Sequence, residues 1–433
     1  MNVGTARTEI TPPASMMPLD LSGFVAREQP ALGVRDPLFA RGLYLESGAE
    51  RLLWIHADVL GFSDSFADDY RAWAARRLGI GARQIVLSAS HTHHAPATIG
   101  LSQCGEVRRA YVEFLGRQLR ATAMEAAGRR RPATPHAARV RCELAVDRRG
   151  GPSAHTDPHL SVVAWLADGA CLAVLCNYAM HNVALGSRNR LVSGDTTGLA
   201  AAALEALLPG RPTVLFTIAG AGNVNPPATD VAADQVEAWA RRLADAAAGA
   251  LRDARPLEDV LASRFQVVPF ELDRFDGPRI ARHLADHLPA GEPDDDTPVR
   301  RRIRRAMETW RDEMTDLARR GRAPSRGSAR LGVVRIGEVC FACVNAEPFS
   351  RLADDLRAKV ARRDVYVVGY ANGLFGYLPT AEAYDEGGYE TDLAFVFYNS
   401  FRPKRGTFEM IGDRLAESIQ RALSGESRPA RGD

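Results

Sequence analysis

The chain has 433 residues, of which 46% are hydrophobic and 25% charged, and a formal net charge of +2. That length supports one large α/β domain or two smaller ones. The balanced charge excludes a strongly basic nucleic-acid binder and gives no electrostatic reason to expect an anionic membrane as partner.

In chain order, the opening MNVGTARTEITPP carries no apolar core of signal-peptide length. No apolar run is long enough to span a bilayer. The expectation is therefore a cytoplasmic protein without a transmembrane segment. Arg51 to Val59 reads as a strand. Ser65 to Leu78 reads as a helix, with acidic residues early and arginines late, as the helix dipole favours. Gln84 to Leu87 is a short buried strand, followed by a helix over Glu106 to Ala127. Strands are expected at Leu160 to Leu166, Cys171 to Tyr178 and Thr213 to Ile218, with helices at Asp195 to Leu208 and Asp230 to Leu251 between and after them. Strands follow at Arg335 to Val344 and Asp364 to Tyr370. A helix over Phe408 to Leu423 places Ile411, Leu415 and Ile419 on one face. Residues 425–433 read as a frayed tail.

Several strands are continuous in Val, Ile and Leu, the composition of strands covered on both faces. The fold class expected is α/β, with a mixed or mainly parallel sheet core covered by helices. Residues 1–424 read as a single domain. Residues 256–327 stand apart: Asp294-Asp295-Asp296 precedes Thr297-Pro298, a helix cap and first turn, and a charged helix runs from Val299 to about Arg320. This segment reads as a helical insertion or lid. The cysteines of CLAVLC and VCFACV sit in strand-like runs, where free cysteine acts as a small hydrophobe. Cys340-x-x-Cys343 has no second pair at zinc-ribbon spacing and reads as core.

The chemistry-bearing residues fall where strands end. Gln84 to Leu87 leads to His91-Thr92-His93-His94, a histidine cluster that packing alone rarely requires. Alternate residues of an extended chain share a face, so His91 and His93 can point into one cleft. Imidazole binds Zn²⁺ when neutral and titrates near neutral pH. Cys171 to Tyr178 leads to His181-Asn182, and Thr213 to Ile218 leads to a glycine-rich turn ending at Asn225-Pro226. Phe341 to Val344 leads to Asn345-Ala346-Glu347, and Val365 to Tyr370 leads to Asn372 and Tyr377. In open α/β sheets, ligand sites form outside such carboxyl ends. Taken as ligands, His91, His181, Glu347 and Tyr377 are a mixed nitrogen and oxygen set, which suits Zn²⁺ better than Mg²⁺ or Ca²⁺. Each also has a plainer reading: His181 as a core histidine, Glu347 as a helix cap, Tyr377 as a packed ring.

An ordered set of motifs resembles the catalytic domain of neutral/alkaline, non-lysosomal ceramidases. In sequence order these are GTARTEITPP, Gly23-Phe24, SASHTHHAPA, Asp147-Arg148-Arg149, CNYAMHNVALGSRNRLVSGDTTG, FTIAGAGNVNP, NAEPF and YANGLFGYLPTAEAYDEGGYE. The resemblance spans most of the chain. It implies one zinc ion on His91, His181, Glu347 and Tyr377, and a catalytic histidine at His93. It also implies that Arg148 and Tyr389 contact the substrate carbonyl or its oxyanion, and that Asn182 helps to position substrate. Two departures stand out. Asn225 occupies the place of the family's serine, and can donate a hydrogen bond to an oxyanion but cannot replace a hydroxyl nucleophile. The family's C-terminal immunoglobulin-like domain has no counterpart here. The implied activity is zinc-dependent hydrolysis of the amide of a small-molecule N-acyl substrate other than ceramide. Acyl transfer, amide formation or lactam and lactone chemistry at the same zinc, and a non-catalytic metal-binding relative, are the alternatives.

Overall fold

The computed structural model describes residues 1–287 and 297–425. The Asp294-Asp295-Asp296 run and the tail from residue 426 lie outside the described residues. The fold is mixed α/β, built on three sheets. The first runs Ile85–Ala89, Glu50–Ala57, Phe39–Ser47, Asn2–Glu9, Arg131–Pro132. The second runs Thr213–Ile218, Ala170–Tyr178, His159–Ala167, Thr134–Arg141, Arg255–Pro256, and the third Leu261–Glu271, Arg326–Ile336, Val339–Val344, Val365–Val368. Each sheet is antiparallel except at one edge, where a single parallel pair closes it. The sheets are thus mixed, with antiparallel neighbours in the majority.

Strand periodicity sorts each sheet into two faces. In the first sheet Leu52, Trp54 and Val86 face inward, while Leu53, Ile55 and Leu87 face outward. The inward faces of all three sheets share one core, where Trp54 and Val86 meet Val163, Trp165 and Leu175 of the second sheet and Val334, Phe341 and Tyr366 of the third. Helices cover the outward faces. Asp64–Leu78 and Arg109–Gly128 pack on the first sheet, Asp195–Leu207 and Ala233–Arg252 on the second, and Arg351–Val360 and Thr407–Ser424 on the third. Covering on both faces is what the unbroken apolar runs anticipated. All six cysteines are buried and free. Cys340 and Cys343 point to opposite faces of their strand, one into each core, so the C-x-x-C spacing cannot converge on a metal.

Two expectations are corrected. The run Arg335 to Val344 is not one strand: Gly337, at φ +58°, turns the chain between Arg326–Ile336 and Val339–Val344, which pair as a hairpin. A left-handed φ at this turn is open to glycine at no steric cost. The insertion is also shorter than 256–327, because Leu261–Glu271 is an edge strand paired along its whole length with Arg326–Ile336. Its Pro269 and alternating polar residues hid it, and an edge strand tolerates both. What leaves the sheet is a helical excursion carrying Gly277–His287 and Pro298–Arg319. Thr297 caps the latter, its Oγ1 accepting from Arg300 N at 3.3 Å. Its apolar stripe of Ala306, Met307, Trp310 and Met314 packs on Phe275, Phe395, Val396, Phe397 and Phe401. No helix among the described residues is long and apolar enough to cross a membrane.

Candidate metal centre

His91, His181 and Glu347 each follow a strand of one of the three parallel pairs, so each sheet delivers one of them to the same place. His91 adopts a left-handed φ of 56°. Such strain in a bulky residue is held by its surroundings and clusters at functional sites. Its Nδ1 lies 2.7 Å from Leu60 O, and its ring stacks on Tyr370 at 4.0 Å. His181 is fixed in the same manner, with Nδ1 2.6 Å from Ala221 O. A carbonyl accepts only, so both Nδ1 atoms carry the hydrogen and each ring turns its Nε2 inward. Both Nε2 atoms lie 3.1 Å from the same oxygen, Glu347 Oε2.

Burial holds the His181 imidazole down to about 4, and Arg148 and His91 add to the effect. Burial works against the Glu347 charge, and positive charge on the side of His91 and His181 is what would hold the carboxyl below its ordinary range. A neutral imidazole lone pair therefore faces a carboxylate at hydrogen-bond distance. One proton satisfies one such contact, whereas a cation at the centre satisfies all of them. Donors 2.0–2.1 Å from a tetrahedral ion lie about 3.3 Å apart, close to the spacings here. His91, His93 and His181 offer nitrogen atoms that all lie within 4.8 Å of one another. The donor set fits a Zn²⁺-like ion.

His93 lies against this group, its Nε2 3.3 Å from His91 Nε2. Burial, followed by the His91 and His181 rings, keeps it well below the ordinary imidazole range. Its buried Nδ1 has no hydrogen-bond partner. Its ring fits only because residue 23 is glycine: at φ +94°, a Cβ there would lie 2.3 Å from His93 Nδ1. Gly23→Ala is therefore expected to displace His93 and to lower turnover at least tenfold, with about 1–3 kcal/mol lost in stability from strain. Steady-state kinetics beside urea unfolding checks both.

The remaining expected residues form the adjoining wall. Tyr377 pairs with Glu347 across a short parallel bridge, and its hydroxyl accepts from Arg148 Nη2 at 3.1 Å. Arg148 also donates to Gly222 O at 2.8 Å and, through Nε at 2.9 Å, to Glu390. Asn225 Oδ1 lies 3.5 Å from Arg148 Nη1, which turns the amide nitrogen away from the guanidinium. The Tyr389 ring stands 5.7 Å from that of Tyr377 and is 44% exposed. It forms the mouth of a cleft of about 660 Å³ walled by residues 148–152 and 386–390. None of the three histidines lines this cleft; Arg148, which does, donates to Tyr377 beside Glu347.

Two residues at strand ends have other work. Asn182 donates to Ser90 O and Thr197 Oγ1, both at 2.6 Å, and accepts from Thr197 N, so its amide splices two loops and is not free for substrate. Asn372 Oδ1 accepts from Leu87 N at 3.0 Å and fastens the strand that precedes His91.

Several supporting residues escaped the sequence reading. Glu390 is buried and joins Arg148 to Arg149. Buried Arg27 donates to His93 O at 2.7 Å and lies 3.0 Å from His94 Nδ1, which fixes the loop from behind. Tyr398 donates to Glu347 Oε1 at 2.5 Å. Tyr398 follows the apolar run Ala394–Phe397, so the strand-end logic, applied to helix ends as well, would have flagged it.

No family model matches the chain, and no curated protein matches it. Among solved structures, the crystal structure of neutral ceramidase from Pseudomonas aeruginosa aligns with all of this chain and 76% of its own, at a TM-score of 0.76 and 17% identity. A ceramidase complexed with C2 aligns with all of this chain and 77% of its own, at 0.76 and 16%. At such low identity the likeness speaks to architecture, and the chain has a neutral-ceramidase-like fold.

Proposed function

We propose that this protein is a zinc-dependent hydrolase that cleaves the amide of a small N-acyl substrate other than ceramide. The observation that carries the reading is the convergence of His91 Nε2, His181 Nε2 and Glu347 Oε2 within 3.1 Å contacts that a central cation satisfies. His91, His181 and Glu347 would hold the ion, with Tyr377 completing the set. When bound, such an ion polarises a carbonyl as a Lewis acid and lowers the pKa of water towards about 7.

The chain's own groups do the rest. Arg148 and Tyr389 line the route from the cleft and present donors to the oxygen that gains charge as the amide carbon becomes tetrahedral. Asn225, with its carbonyl end turned to Arg148, offers its amide nitrogen to the same oxygen. His93, kept neutral, takes the proton of the attacking water at Nε2 and returns it to the leaving nitrogen, a role worth about 10²–10⁴ in rate. The fold likeness to ceramidases, whose name states amide chemistry, supports the same reading. The test is turnover of a panel of N-acyl amines by purified protein before and after exhaustive chelation. Activity that vanishes with the metal and returns with Zn²⁺ supports the proposal; turnover that survives complete metal removal overturns it.

A further inference from the structure

A carboxylate offers two oxygens to a metal, and which of them binds sets the coordination number. Glu347 has little other freedom. Its backbone N donates to Gly376 O at 2.9 Å. The next residue is pinned as well, Pro348 O accepting from Gly222 N at 2.9 Å. The side chain is 2% exposed, and its Oε2 already faces His91 and His181. What remains is rotation of the carboxylate about its last bond. The Tyr398 hydroxyl, 2.5 Å from Oε1, occupies the oxygen that such a rotation would bring in. A hydroxyl bonded to an ionised carboxylate at this distance is among the stronger hydrogen bonds a protein makes.

Tyr398 is itself held from outside. It ends the short helix Ala394–Phe397, whose Phe395, Val396 and Phe397 are buried against Phe275 and Trp310 of the excursion. Trp310 Nε1 donates to Ser400 O at 2.7 Å, and Ser102 N donates to Phe397 O at 2.8 Å. The excursion therefore clamps the segment from which Tyr398 reaches in.

We propose that Tyr398 is a positioning residue that keeps Glu347 a one-oxygen metal ligand, and that the helical excursion sets its place. The inference rests on the reading of Glu347 as a ligand. The experiment uses the full chain stripped of metal and reads metal binding alone, with no substrate. Zn²⁺ affinity is measured by competition with a chromophoric chelator, and the visible absorption of the Co²⁺-loaded protein reports coordination number. Tyr398→Phe keeps the ring and removes the hydroxyl. Its Zn²⁺ affinity is expected to fall about 10–100-fold, the usual cost of losing such a partner. At saturating Co²⁺ its bands are expected to weaken as the freed second oxygen raises the coordination number.

Equal affinity and an unchanged spectrum in a folded variant overturn the proposal. Trp310→Phe provides a second handle if Tyr398→Phe folds poorly. It removes the bond to Ser400 without touching the site, and is expected to lower Zn²⁺ affinity in the same direction by a smaller factor. No change there overturns the clamp. A wild-type protein that binds neither ion overturns the metal reading itself, an outcome distinct from binding that ignores Tyr398.

Discussion

Replacing His91 or His181 with alanine is expected to abolish both metal binding and turnover, whereas His93→Ala keeps the ion and loses only turnover. The first two rings have Nδ1 locked on a carbonyl and Nε2 aimed at Glu347. Removing either leaves an incomplete ligand set around a buried carboxylate. His93 has no carbonyl behind its Nδ1. Its Nε2 approaches His91 Nε2 at 3.3 Å, as a group placed beside the ion does. The expected loss for His93→Ala is about 10²–10⁴ in kcat, with metal content near one per chain by elemental analysis. Tyr377→Phe is the companion variant, and on this scheme it weakens Zn²⁺ binding where His93→Ala does not. The reverse pattern, with metal lost from His93→Ala and retained by Tyr377→Phe, would make His93 the fourth ligand and remove the proposed proton carrier.

Arg148→Ala is expected to cost about 10²–10³ in kcat, or about 2.7–4 kcal/mol of barrier, the usual loss of one oxyanion donor. The guanidinium spans Glu390, Gly222 O and Tyr377 at once, and its planar fork is what lets one side chain do so. Arg148→Lys should therefore rescue little. Stability should fall less than activity, because Glu390 keeps Arg149 as a partner. Kinetics on an N-acyl amide substrate, set beside urea unfolding of the same variants, separates the two effects. A variant with full turnover and lower stability would reduce Arg148 to a structural ion pair.

The interior was legible where burial is two-sided. Runs such as Thr213–Ile218 are mostly apolar, and the structure gives that strand the same bounds. Strands of mixed composition were not legible, whether inside a sheet or at its edge. Asn2–Glu9 and Leu261–Glu271 mix Arg, Thr, Gln and Pro because only some of their residues face a core. For the site, the strand-end rule brought out His91, His181 and Glu347, which follow buried strands directly and meet at 3.1 Å contacts. It also flagged Asn182, whose amide is used up in bracing loops, and Asn372, whose Oδ1 braces the strand before His91. Glu390, Arg27 and Tyr398 act only through partners distant in sequence, such as Arg148, His94 and Glu347. No local spacing encodes the pairings of Glu390 and Arg27, whereas the apolar run before Tyr398 marks that residue.

The supply of one donor by each sheet has a consequence for assembly. A chain in which two sheets have docked and the third has not holds two donors, and two are too few to retain an ion. If the proposed ion binds there, its capture would be a late event that rewards complete closure of the molecule. An ion present at 1,000 times its dissociation constant would add about 4.1 kcal/mol to the closed form. The ion proposed for the chemistry would in this way also act as the keystone of the architecture.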